Sequence, residues 1–307
     1  MTSPSVLTPV GTALETVRRV LFQQFNPIKW LAMGFTAWLA LLGEGTGVNI
    51  SHQCGKPEFW RWVWEWVQAH LIIVVPLFIL FSAAGLIFLL LVLWLKCRGK
   101  FMFLDNVVKN RAEIARPWKK FRLQGNSCFL FNVCFILAAL AVLILGVGLV
   151  LLVGWPDWSR SRFSWNAAFA LIIGVTFFSC FIITAICVET FLEDFVIPIM
   201  AFRECRIMEG WSVFFDLFRR DAGMFILYLL FKAALGLVMG LMVILACCLL
   251  CCTVLIPYVG TVILLPIHVF WRAYSVHFLG QFDNKLKIFN GDQSSYISLS
   301  AGDSLVP

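Results

Sequence analysis

Residues 71–95 run without a single charged side chain, and residues 128–153 and 167–188 do the same. A helix rises about 1.5 Å per residue and the hydrocarbon core of a bilayer is about 30 Å thick, so about 20 apolar residues cross it. In water such helices would expose apolar surface on every face. The composition agrees: 61% of the residues are hydrophobic, 13% are charged and mean hydropathy is +0.90, where a soluble domain carries roughly a quarter charged residues. A soluble enzyme, a disordered chain and a coiled coil are thereby excluded. The chain reads as all-α, a polytopic integral membrane helical bundle with amphipathic interfacial helices.

Six segments read as spans: 30–42, 71–95, 128–153, 167–188, 224–250 and 257–279. The first is short and follows Pro27, a residue suited to a helix start. Residues 247–259 carry no charge, so the connection between the last two spans turns at the membrane surface or inside it. Six spans put both ends on one side. With that side cytoplasmic, eighteen of the 24 Lys and Arg fall inside, four (Lys56, Arg61, Arg160, Arg162) fall outside, and Lys232 and Arg272 lie within spans. The positive-inside rule therefore places both termini in the cytoplasm of a bacterial-type inner membrane. No apolar core of a cleavable signal peptide precedes Pro27, and residues 283–307 read as a flexible cytoplasmic tail.

Between the spans lie surface elements. In residues 1–26, Val10, Ala13, Leu14, Val17, Val20 and Leu21 share one helical face, with Glu15, Arg18, Arg19 and Gln23 mostly opposite, an amphipathic helix expected along the inner surface. Trp211, Phe214, Phe215 and Phe218 predict a second interfacial helix. Trp60, Trp62, Trp64 and Trp66 alternate as in a strand, yet Trp60 and Trp64 also share a helix face; either way they suit an aromatic belt at the outer headgroups. Phe103-Leu104-Asp105 leading to Trp118, and Leu192-Glu193-Asp194 leading to Trp211, form a faint internal echo. The loop 96–122 carries Lys96, Arg98, Lys100, Lys109, Arg111, Arg116, Lys119, Lys120 and Arg122 against two acids, an excess equal to the +7 of the whole chain. These nine are expected on anionic headgroups of the inner leaflet, each worth on the order of 1 kcal/mol. They flank spans and come with no nucleic-acid motif, so nucleic acid is not an expected partner.

Ionisable groups at depth are costly, and they either pair or line a pathway. Glu189, Glu193 and Asp194 close span four, Lys232 lies eight residues into span five, and Arg272 lies a similar distance before the end of span six. At about 1.5 Å per residue both cations reach roughly 12 Å inward. The spacing predicts a buried network of these five residues. It serves helix packing or a proton or anion pathway, and Pro198 and Pro266 would kink the helices close by. His268 and His277 share no metal-ligand spacing with other groups, and His52 and His70 lie outside. Cys247, Cys248, Cys251 and Cys252 form a thiol stripe that could take a soft metal, although small-residue packing explains it as well. No Walker loop, HExxH or GxSxG is present, so neither an enzyme nor a cofactor is expected.

With these residues assembled, the chain resembles uncharacterised prokaryotic six-pass membrane proteins related to the membrane domain of glycerophosphoryl diester phosphodiesterases. The likeness rests on Pro27-Ile28-Lys29-Trp30, residues 118–129, Asp194-Phe195-Val196-Ile197-Pro198-Ile199-Met200, Glu209-Gly210-Trp211 and residues 257–270. It implies a compact helical bundle with amphipathic connectors. The metal-binding carboxylates and histidines of the phosphodiesterase domain itself have no counterpart here, so the likeness implies no hydrolase. Three functions fit the sequence: a non-enzymatic module binding lipids or a membrane-protein partner, including a second copy of itself; a small-solute or ion transporter using the buried charges; or an accessory subunit of a larger membrane complex.

Overall fold

The computed structural model describes residues 5–23, 27–42, 57–158, 165–249 and 257–282. Residues 283–307, Lys56, Arg160, Arg162, His52, Cys251 and Cys252 lie outside them. The elements in chain order are α1 (Thr8–Val17), which runs on as a π turn (Arg18–Phe22), α2 (Pro27–Ala40), α3 (Pro57–Ala69), α4 (Leu71–Lys109), α5 (Ala115–Lys120), α6 (Arg122–Trp158) and α7 (Trp165–Phe191). A second π turn (Leu192–Val196) leads into α8 (Ile197–Arg203), followed by α9 (Ile207–Leu249), α10 (Pro257–Ile263) and α11 (Leu265–Leu279). The described residues hold no strand, and the all-α expectation stands. Pro27, Pro57 and Pro257 each open a helix, where the missing N–H has no intrahelical partner to lose.

Four helical stretches are long and apolar enough to cross a membrane: Leu71–Lys109, Arg122–Trp155, Ala168–Arg203 and Ile207–Ala246. Their most apolar portions are almost wholly exposed, as lipid-facing helices are, because lipid tails are as apolar as Leu and do not drive helices together. The segments expected as spans one and six are shorter. Helix α2 has 14 residues, and residues 257–279 are divided at Leu264 into α10, of 7 residues, and α11, of 15. Pro266, in the first turn of α11, is the break its sequence position suggests.

Burial gathers at one end of the four helices, the end that carries residues 96–122, called the base below. Helix α2 lies antiparallel along the last part of α4. Lys29 Nζ donates to Asn110 Oδ1 at 2.6 Å at one end of the pair. At the other end, Gly99 touches the α2 backbone so closely that a Cβ there would sit 2.6 Å from Ala40 N. Helix α1 packs on α11 with Ala13, Thr16, Val17, Val20 and Leu21 buried. The apolar face expected on the membrane surface therefore rests on protein, and only Leu14 of it is left fully outside.

An aromatic cluster fills the middle of the base. Phe195 stacks on Phe214 with centroids 5.5 Å apart, Tyr228 stacks on Tyr274 at 5.1 Å, and Phe225 and Phe278 meet edge to face. Such pairs add about 0.5–1.5 kcal/mol each beyond burial. The segment expected as a second interfacial helix is thus the first part of α9, with Phe214 buried and the helix kinked at Asp221 (φ −137, ψ 42). At the far end the tryptophan segment is a helix, α3, which resolves the ambiguity of its alternation. Trp64 and Trp66 are exposed there, and Trp66 stacks on His70 at 4.8 Å.

Candidate functional site: a polar cavity at the base

A partly open cavity of about 190 Å³ lies where α2, α4, the second π turn, α9 and α11 converge. Ala37, Ala40, Leu41 and Phe103 form its apolar wall, and Lys100, Glu193, Asp194, Lys232, His268, Trp271 and Arg272 form its polar one.

The local chain explains the polar side. Within the π turn the Ile197 N–H reaches back five residues to the Leu192 carbonyl, and the wider turn brings both Glu193 and Asp194 to the cavity. The Glu193 carbonyl would next seek an N–H at position 198, which is proline and has none. Arg272 fills that vacancy: its Nη1 donates to the Glu193 carbonyl at 2.8 Å. The side chains then sort into pairs. Glu193 binds Lys100, which is almost fully buried. Asp194 binds Lys232 and also accepts the Tyr228 hydroxyl at 3.1 Å. The Lys232 ammonium in addition lies over the Trp271 ring, 5.7 Å from its centre. Among the described residues no carboxylate comes within ion-pair distance of Arg272.

Four of the five residues expected to form a buried network, Glu193, Asp194, Lys232 and Arg272, do meet here. Glu189 does not: its carboxylate is 58% exposed and lies 3.7 Å from Lys96 on the α4–α7 surface. The depth also differs from expectation. Lys232 and Arg272 share one cavity with Lys100, which lies just beyond the end of the apolar stretch 71–95 rather than midway along it.

The nine basic residues of 96–122 divide as well. Lys100 and Arg98 are buried rather than at the surface. The Arg98 guanidinium is held between the rings of Trp94 (4.3 Å) and Trp118 (4.7 Å) and donates to Asn126 Oδ1 at 3.2 Å. Lys96, Lys109, Arg111 and Lys120 each face a carboxylate, respectively Glu189, Asp105, Glu113 and Glu204. Arg116, Lys119 and Arg122 are exposed, and no carboxylate pairs with them among the described residues. They form a cationic rim on α5 and the start of α6, beside the Trp94–Trp118 pair.

Sequence reasoning assigned Lys100 to lipid and passed over Tyr228 and Trp271. Tyr228 precedes Lys232 by four residues, so helix-face spacing from that cation would have found it, whereas Trp271, next to Arg272, has no such spacing to mark it. Cys97 and Cys128 are buried together at the α4–α6 contact, where Asn132 Nδ2 lies 3.6 Å and 3.5 Å from their sulfurs. Of the expected thiol stripe, Cys247 and Cys248 fall in the last turn of α9, with Cys248 exposed. Among the described residues no three His, Cys, Asp or Glu side chains are placed to hold a metal. His277 lies on the face of α11 that meets α1, its Nε2 3.0 Å from the Thr16 hydroxyl.

Neither a curated protein nor a solved structure matches this chain. One family profile matches residues 5–265, which hold the four helices long and apolar enough to cross a membrane while α11 lies almost wholly beyond the match, and on that match the chain belongs to a family of unknown function, DUF7544.

Proposed function

We propose that this protein is a non-enzymatic membrane module whose base binds anionic lipid headgroups on the cytoplasmic leaflet of a bacterial-type inner membrane. The observation that carries the reading is the placement of Arg116, Lys119 and Arg122: three exposed cations, unmatched by carboxylates among the described residues, beside a tryptophan pair where the apolar part of α4 ends. Tryptophans favour the headgroup level, and each exposed Lys or Arg there gains about 1 kcal/mol from anionic lipid. The positive-inside bias supports the same orientation. Kinship with the membrane domain of glycerophosphoryl diester phosphodiesterases, drawn from the motifs around Pro27 and Pro198, belongs to this proposal and fits a lipid-facing role.

The test uses the full chain in nanodiscs of mixed phosphatidylcholine and phosphatidylglycerol, with bound lipids counted by native mass spectrometry. The wild type is expected to retain the anionic lipid in excess of the bulk ratio. The triple substitution Arg116→Gln, Lys119→Gln, Arg122→Gln is expected to bring retention close to bulk. Equal retention by both forms contradicts the reading. The basal cavity favours a second reading, solute or ion passage, in which Lys232, Asp194 and Arg272 line the route. Flux through reconstituted liposomes that is lost in Asp194→Asn while the protein stays folded is its signature.

A further inference from the structure

The charges of the basal cavity do not balance. Three cations (Lys100, Lys232, Arg272) face two carboxylates (Glu193, Asp194), and each carboxylate is taken by a lysine. Arg272 is left with a backbone carbonyl as its acceptor. A guanidinium carries five N–H donors in a planar fork suited to carboxylate or phosphate, so most of its capacity faces the cavity unused. A half-buried cation in a partly open cavity favours an anion beside it. The Glu193 carboxylate is close enough for its charge to be felt at Arg272, but it is bound to Lys100 and so neutralises the guanidinium only in part.

We propose that the cavity is a binding site for a phosphate group, held bidentately by Arg272 with Lys232 at its flank. The net charge of the lining, +1 with His268 neutral, matches the single negative charge of a phosphodiester. The level of the site fits too, since it lies just basal to the apolar part of α4, where headgroups meet water. Trp271, half-buried in the same wall, gives the substituent of the phosphate an apolar and cation–π-bearing neighbour. The phosphate group reaches the site on a lipid headgroup or free from solution; the chemistry at Arg272 is the same. The site is separate from the cationic rim of α5 and α6 and does not depend on the reading given to that rim.

The experiment follows thermal unfolding of the full chain, delipidated in neutral detergent, at constant ionic strength. Inorganic phosphate, dihexanoyl phosphatidylglycerol and acetate are titrated separately. The wild type is expected to melt higher with phosphate or with the short-chain lipid, saturably, and not with acetate. A response to both marks a site open to free phosphate, and a response to the lipid alone marks a headgroup site. Arg272→Gln is expected to weaken the response roughly tenfold or more, the usual effect of losing a charge-assisted pair, and Arg272→Lys, which keeps the charge without the fork, to fall between. The triple rim variant is expected to respond as the wild type does, which separates this site from the lipid-binding rim. No response of the wild type to either phosphate, a response to acetate alone, or an unchanged response in Arg272→Gln overturns the proposal. The wild-type titration decides even if a variant fails to fold.

Discussion

Asp194 accepts from both Tyr228 and Lys232, so neutralising it strands an ammonium beside an aromatic core. Asp194→Asn is expected to cost about 2–3 kcal/mol of stability in detergent, below the ~3–5 kcal/mol of a wholly buried pair because part of Lys232 is solvated. Adding Lys232→Met is expected to recover much of that loss, and a double-mutant cycle of thermal unfolding measures it. Glu189→Gln is the control. Its pair with Lys96 is exposed, so the change is expected to stay within about 0.5 kcal/mol. A third prediction concerns His277. Burial, aided by the Arg19 charge, holds this imidazole well below its usual range, at about 4 against 6.5. The unfolded chain therefore takes up the proton first. The contribution of the neutral ring is whole above about pH 6.5 and is lost as the pH falls toward 4. Hydrogen exchange of residues 13–21, corrected for intrinsic rates, is expected to rise at pH 4.5 relative to pH 7.5, and His277→Gln is expected to flatten that difference.

At the scale of elements, two features of the sequence set the site and one was legible. Pro198 was visible as a break close to the acidic triplet. Its actual effect is subtler: the helix continues, and the loss of one N–H beside a π turn frees the Glu193 carbonyl for Arg272. A π turn has no periodicity of its own over five residues, which is why spacing did not reveal it. Gly99 is the other feature. It lies within a basic stretch that reads as surface, yet α2 packs onto it backbone to backbone. Its role depends on α2 lying along α4, a contact between segments about sixty residues apart that no local pattern encodes. Gly99→Val is expected to destabilise the base by about 1–3 kcal/mol, the usual cost of overpacking, seen as a lower detergent melting temperature with helical content retained. The apolar face of α1 reads as one that lies on the membrane, but a periodic apolar face does not say whether lipid or protein covers it, and here α11 packs against it.

Over the whole molecule, the sequence revealed what the bilayer demands and concealed where the protein packs. Charge-free runs of membrane length mark helices, and helices they are. The 14-residue α2 and the divided α10–α11 are apolar for a different reason, since they line a core beneath the long helices rather than face lipid along their length. Apolar content alone does not separate these cases. The stretch from Leu71 to Trp94 covers about 35 Å at 1.5 Å per residue, close to the ~30 Å hydrocarbon thickness, and its end coincides with the Trp94–Trp118 pair and the cationic rim. We therefore propose that one boundary of the bilayer lies at that level, with the buried core and its cavity beneath. Electron cryomicroscopy of the full chain in phosphatidylglycerol-containing nanodiscs tests this most directly. The expected result is a bilayer slab ending at Trp94 and Trp118, headgroup density against Arg116, Lys119 and Arg122, and the α1–α11 contact outside the hydrocarbon. A slab that instead encloses α1 and the base, or headgroup density that avoids the three cations, contradicts it.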